Sequence, residues 1–300
     1  MTGPTSAAVE ATATPSLARD LLSLTKPRII SLLLVTTVAP MYVAGTPSWG
    51  LVALVTLGGY LMAGGANAVN MYIDRDIDDR MARTRLRPIP SGRMTPVAVL
   101  SFGILLATAA TWILAAFVNI PAAALALAGF YCYVFVYTRW LKRTSPQNIV
   151  IGGAAGAFPP LVGWVAVRGE LDLMAALLFL IIFYWTPPHF WALALLKQRD
   201  YTKAGVPMAP LVWGERETMD QMVWYTIILV ALTLLPVVIG ALGVAYLVSA
   251  LALGGWLLRG VWRVRQAAEW AAPAWSVYKY SLLYLALLFV AMVVDQRVFG

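Results

Sequence analysis

Asn70, Asp74 and Asp78 stand four residues apart in the stretch NMYIDRDIDDR, where a long apolar run ends. On a helix turning about 100° per residue, such positions drift only about 40° per step, so all three side chains share one face and Asp76 points nearly opposite. Two carboxylates one turn apart with an amide behind them suit a hard divalent cation such as Mg²⁺, which keeps some waters and also grips a phosphate. Acids at the edge of a membrane are costly and tend to mark function. Arg80, Arg83, Arg85, Arg87 and Arg93 follow within the same loop. A basic loop with salt bridges accounts for the arginines, but not for the spacing of the acids. Carboxylates for a metal and arginines for free oxygens are what a metal-bound diphosphate needs.

A second, weaker cluster lies in KQRDYTKAGVPM, where Asp200 is flanked by Lys197, Arg199 and Lys203. Tyr201 beside it can hydrogen-bond a phosphate or sit in an interfacial aromatic belt. In TRWLKRTSPQNIVIGGAAGAF, Lys142 and Arg143 precede Gln147 and Asn148, polar groups entering the next apolar run. Gly152, Gly153 and Gly156 make a smooth helix face, for close packing or as room for a flat ligand. His189, the only histidine, follows Pro187-Pro188 and precedes Phe190 and Trp191. The prolines predict a broken helix. The histidine reads either as a structural hydrogen-bonder or as a contact for a haem or a developing carbocation.

These groups need a scaffold, and the composition says which kind. The 300 residues are 61% hydrophobic and 12% charged, with mean hydropathy +0.76, which marks an all-α integral membrane protein. The single cysteine, Cys132, excludes a disulfide framework and a thiolate metal site. Residues 29–73 and 94–138 carry no charge, and each is interrupted once, at Gly45-Thr-Pro-Ser-Trp-Gly50 and at Asn119-Ile-Pro121. Each reads as a hairpin of two spans. Residues 144–167 and 173–196 hold one span each, 221–258 a pair turned near Gly240-Ala-Leu-Gly243, and Val277 to Val294 the last. The total is nine transmembrane helices.

Twenty of the 22 Lys and Arg fall in the N-terminal tail and in the loops after helices 2, 4, 6 and 8, leaving only Arg168 and Arg297 for the other side. This predicts a cytoplasmic N-terminus and an outside C-terminus. It also explains the net charge of +8 without a nucleic-acid partner. Residues 1–24 read as a short disordered cytoplasmic tail without a cleaved signal. Residues 25–300 read as one domain in a bacterial plasma membrane, its site opening to the cytoplasmic side.

NMYIDRDIDDR with RTRLRPIPSG resembles the first Asp-rich motif of the UbiA family of intramembrane prenyltransferases. LTKPRI, YTRWLKRTSPQNIVIGGAAGAFPPLVGW and WTPPHFWALAL with DYTKAGVPM resemble its haem-farnesylating branch, over roughly residues 24–215. The resemblance implies nine helices around a central cavity. It also implies Mg²⁺-dependent transfer of a farnesyl group from farnesyl diphosphate to a vinyl group of haem b, with addition of water, giving haem O. Asn70, Asp74 and Asp78 match the first metal motif. Asp200 matches only the first position of the second, Asp-x-x-x-Asp, because position 204 is Ala.

On this reading Asp74, Asp78 and Asp200 are catalytic through the metal, and Arg83, Arg87, Lys142 and Lys203 hold the diphosphate. Phe183, Tyr184, Phe190 and Trp191 shield the allylic cation, and His189 serves the haem side. The lipid bilayer is the medium, and a haem A synthase or a terminal oxidase assembly is the expected downstream partner. A quinone or chlorin acceptor fits the same acids. A secondary transporter fits the Pro-Pro helix but wants its acids at mid-membrane. A non-catalytic haem carrier lacks a second histidine.

Overall fold

The computed structural model describes residues 16–299. Nine helices among them are long and apolar enough to cross a membrane: α1 Pro27–Ala44, α2 Trp49–Ile73, α3 Pro96–Phe117, α4 Ile120–Thr144, α5 Asn148–Arg168, α6 Leu173–Leu196, α7 Glu215–Val238, α8 Val244–Gln266 and α9 Ala271–Phe299. The interruptions legible in the sequence are helix caps. Ser48 accepts from Leu51 N at 3.2 Å and Asn119 from Ala122 N at 2.8 Å, which starts α2 and α4. Pro27, Pro96 and Pro121 occupy first turns, where a missing N–H costs nothing.

Helices adjacent in sequence pack side by side, and α9 returns onto α1 to close the ring. Within it α5 touches α1, α4 and α6, while α6 touches α5, α7 and α9. These two are the innermost: 67% and 61% of their apolar windows are buried, against at most 39% in any other span. Lipid tails are as apolar as leucine, so helices associate through close fit. A Cβ on Gly65 would lie 2.6 Å from the Gly103 carbonyl oxygen, which fixes glycine at the α2–α3 crossing. On α5, a Cβ at Gly152 would overlap Tyr137 and one at Gly153 would overlap Thr186. Two of the three glycines therefore serve packing, and only Gly156 faces open space.

Several expectations need correction. Residues 17–24 are not a disordered tail. Leu17–Thr25 is a helix capped by Ser16, with Asp20 and Leu24 buried, because Asp20 accepts both Arg93 Nε bonds at 3.1 Å. The rest of the expected tail, residues 1–15, lies outside the described residues. Pro187 and Pro188 do not break α6, which runs unbroken through them. They remove the N–H partners of the Phe183 and Tyr184 carbonyls, but burial against α5, α7 and α9 holds the helix together. The helices α7, α8 and α9 run past the charge-free intervals: basic side chains near the ends of α8 and α9 can snorkel to the interface, and the acids Glu215 and Glu217 suit the N-terminus of α7.

Candidate active site

The acid cluster is built on the last turns of α2 and the one-turn helix Arg75–Asp78 that continues it. Asp74 N donates to Asn70 O at 2.9 Å and Asp78 N to Asp74 O at 2.8 Å. Helical bonding thus passes from Asn70 to Asp78, and the three side chains are buried, Asp74 completely. Asp76 points away. Its side chain is half exposed and takes both Arg143 Nη atoms at 2.7 Å, which pulls its carboxyl down to about 2.

Each buried acid has a cation. Lys142 pairs with Asp74 Oδ2, which also accepts from Asn70 Nδ2 at 2.8 Å. Arg87 Nη1 binds Asp78 Oδ2 at 2.6 Å. Burial pushes the Asp78 carboxyl up, against the pull of Arg87 and Lys142. Asp74 Oδ1 is buried without a hydrogen-bond partner, and Arg143 Nη2 lies 3.7 Å from it. An unpartnered carboxylate oxygen beside a second carboxylate is a hard-oxygen donor set of the kind Mg²⁺ takes when phosphates fill the rest of its shell.

Lys26 joins this cluster from the turn before α1. Its ammonium donates to Asn67 Oδ1 at 3.1 Å and Asn70 Oδ1 at 3.4 Å. The backbone there is left-handed, φ 54° and ψ 61°, the only non-glycine residue so placed among those described. Burial and the charges of Arg87 and Lys142 hold the Lys26 ammonium down at about 7.

The third wall comes from α4, which widens to a π-helix over Cys132–Leu141. Thr138 Oγ1 donates to Tyr133 O at 2.8 Å, five residues back, and accepts from Asn70 Nδ2 at 3.1 Å. Such widened turns re-aim side chains and recur at functional sites. Here the widening carries Thr138 and Lys142 toward α2.

Asp200 is half-buried in the first turn of the helix Gln198–Ala204, and Lys203 is exposed. Among the described residues, no three Asp, Glu, His or Cys side chains are close enough to hold one metal ion. Asp74 and Asp78 are each paired with a cation of their own, Lys142 and Arg87. The two loops meet through Arg83, whose guanidinium lies 5.8 Å above the Tyr201 ring.

The expected cation-shielding residues divide into two sets. Phe183, Tyr184 and Trp191 belong to one aromatic chain. It runs from Phe158 through Phe179, Phe183, Tyr184, Tyr225 and Trp191 to Trp213, with neighbouring rings 5.4–6.2 Å apart. Phe190 is outside it, well exposed and edge-on to His189 at 5.0 Å. His189 is buried between the rings of Trp185 and Tyr278, at 4.5 and 4.9 Å. Its Nδ1 lies 2.7 Å from Ser281 Oγ. Ser281 already donates to Tyr278 O at 2.9 Å, so it accepts from His189. This arrangement suits the tautomer with its proton on Nδ1 and its lone pair on Nε2.

The model of the UbiA prenyltransferase family matches residues 32–283. The chain belongs to the UbiA prenyltransferase family. It is 58% identical over 288 residues to the protoheme IX farnesyltransferase of Roseiflexus sp. (strain RS-1), covering 95% of this chain and 54% of that one. It is 53% identical over 279 residues to the protoheme IX farnesyltransferase of Gloeobacter violaceus, covering 92% of each chain. The chain spans about half the length of the first curated relatives it matches. Its fold is shared by a UbiA homologue from Aeropyrum pernix K1 (TM-score 0.72, 18% identity, 90% of this chain and 98% of that one). It is shared too by one from Archaeoglobus fulgidus bound to DMAPP and Mg²⁺ (TM-score 0.63, 15% identity, 91% and 99%).

Within this UbiA scaffold, Lys26, Asn67, Thr138 and Arg143 complete the acid cluster. The sequence shows Lys26 and Arg143 only as positive-inside residues. Thr138 carries no signal at all, because its aim depends on the π-helix. Four cations, Lys26, Arg87, Lys142 and Arg143, and an unpartnered carboxylate oxygen converge at this cluster, an arrangement that can take a metal-bound polyanion.

Proposed function

We propose that this chain transfers the farnesyl group of farnesyl diphosphate to a vinyl group of haem b, with addition of water, giving haem O. The observation that carries the reading is the buried Asp74–Asp78 pair with its unpartnered Asp74 oxygen, ringed by Lys26, Arg87 and Lys142. The protoheme IX farnesyltransferase names of the relatives supply the acceptor and the prenyl donor.

Asp74 and Asp78 would hold Mg²⁺, which when bound supplies positive charge to the diphosphate. Asn70 orients Asp74 through its amide. Lys26, Arg87 and Lys142 bind the phosphate oxygens, and Arg83 approaches from the Tyr201 side. These charges stabilise diphosphate as a leaving group, so the allylic C–O bond ionises without a covalent nucleophile. Phe183, Tyr184 and Trp191 face the farnesyl cation with their π-electrons and keep water away from it. The terminal vinyl carbon forms the new C–C bond. Water adds to the adjacent carbon and loses a proton, and diphosphate leaves.

Asp200 would meet the metal-bound diphosphate from the second loop, and Lys203 would add positive charge to it. His189 meets the haem through Nε2. The site opens to the cytoplasm in a bacterial plasma membrane, and haem O passes on to a haem A synthase or an oxidase assembly.

The test uses purified protein in detergent with haem b, farnesyl diphosphate and Mg²⁺, followed by mass spectrometry of the extracted haem, with and without EDTA. The expected product is a haem heavier by farnesyl plus water, absent with EDTA. Diphosphate release only with a quinone precursor would overturn the acceptor.

A further inference from the structure

The pole opposite the acid cluster carries two basic residues, Arg168 and Arg297, against twenty near the other end. The fold brings both to one cavity of about 430 Å³, formed where α1, α5 and α9 end and α6 begins. Arg297 stacks 5.6 Å from the Tyr42 ring and donates to Gly45 O, which aims its guanidinium across the α9–α1 seam. Asp172 also lines the cavity, but its Oδ1 caps α6 by accepting from Ala175 N at 3.0 Å, and Arg168 stays 4.0 Å from its other oxygen.

A further donor is present. Trp164 lines the same cavity, is 4% exposed, and its indole Nε1–H has no hydrogen-bond partner. A buried donor left unpaired costs free energy that an acceptor in the cavity would recover. Two guanidinium groups, one carboxylate and one free N–H call for a singly charged oxyanion. Val43 and Met174 flank the polar groups with apolar surface at the level where helices leave the hydrocarbon.

We propose that this cavity binds the phosphate of a membrane phospholipid, with Arg168 and Arg297 on the phosphate oxygens and the Trp164 indole donating to one of them. Its size suits a headgroup, with the acyl chains left in the bilayer. A lipid held there bridges the ends of α1, α5 and α9, and so fastens the seam at which the ring of helices closes. The site is independent of the acid cluster and of the reaction proposed for it.

The experiment takes delipidated full-length protein in detergent and adds synthetic phosphatidylglycerol, inorganic phosphate or haem b in separate arms. Bound species are counted by native mass spectrometry, and the melting temperature is followed. Phosphatidylglycerol is expected to bind and raise the melting temperature of the wild type. Affinity should fall about tenfold in Arg168→Gln and again in Arg297→Gln, the loss expected for one charge-assisted hydrogen bond each. Trp164→Phe removes the indole donor together with the volume of one ring, so it should weaken lipid binding several-fold and also lower the melting temperature without lipid. Farnesyl transfer serves as a fold control and should survive all three substitutions. Equal lipid binding in wild type and the arginine variants overturns the proposal, as does equal stabilisation by inorganic phosphate, or binding of haem b but not phospholipid.

Discussion

Lys142, the residue just past the π-helical part of α4, pairs with the fully buried Asp74 at the end of α2, 68 residues away in sequence. The pair places a cation where a diphosphate and its metal would meet. It also leaves Asp74 Oδ1 with no hydrogen-bond partner, so the cluster keeps an oxygen for a ligand.

Asp74→Asn is expected to lower farnesyl transfer by about 100-fold or more, the usual loss when a charge that stabilises the transition state is removed. Asp78→Asn should do the same, while Asp76→Asn should retain most activity because Asp76 faces Arg143. Single-turnover rates at saturating and limiting Mg²⁺ check this. Near wild-type turnover in Asp74→Asn at limiting Mg²⁺ would remove it from the metal site.

Thr138→Val keeps the shape of the side chain and removes the oxygen that receives Asn70 Nδ2 at 3.1 Å and donates to Tyr133 O at 2.8 Å. One lost hydrogen bond of about 1 kcal/mol loosens Asn70, and kcat should fall several-fold with little change in the melting temperature. Thr138→Ser should recover it. If serine and valine behave alike, Thr138 does not position Asn70.

The Ser281–His189 bond makes a spectroscopic prediction. Ser281→Ala removes the acceptor that keeps the proton on Nδ1, and loss of such an orienting partner typically costs about 10–100-fold in ligand affinity. Haem titrations followed by absorbance should show weaker binding in Ser281→Ala and an altered haem band in His189→Ala. An unchanged band and affinity in His189→Ala would leave the histidine a packing role between Trp185 and Tyr278.

Asp295 caps α8 from a distance. Its buried carboxylate accepts from Gly243 N at 2.5 Å and Tyr246 N at 2.9 Å. Asp295→Ala should cost about 2 kcal/mol of stability, the upper range for a lost cap, and lower the melting temperature without changing turnover of the folded fraction. A melting curve equal to wild type would deny it that role.

The Asp76–Arg143 pair sets a pH dependence. Arg143 holds the Asp76 carboxyl at about 2, below its ordinary 3.8. A depressed folded-state value means that the stabilisation is fully present above about pH 4 and disappears as pH falls through about 2. The melting-temperature difference between wild type and Asp76→Asn should therefore be constant from pH 7 to about 5 and shrink below about pH 4. A difference that vanished already at pH 6 would point to another group.

The sequence by itself determined the nine spans, since charge-free runs and their Ser48 and Asn119 interruptions follow from the exclusion of charge from lipid. It also determined the shared face of Asn70, Asp74 and Asp78, because helical periodicity needs no tertiary partner, and the motifs that pointed to the family. Tertiary structure alone decided which cation meets which acid. Lys26, Thr138 and Lys142 reach the cluster across helix–helix contacts and a π-helical register, neither of which is written in local spacing. It also set Arg83 over the Tyr201 ring beside Asp200, kept α6 whole through two prolines by burial on several sides, and gathered Arg168 and Arg297 at one cavity. Long-range packing, which depends on the closing of α9 onto α1, supplied those relations.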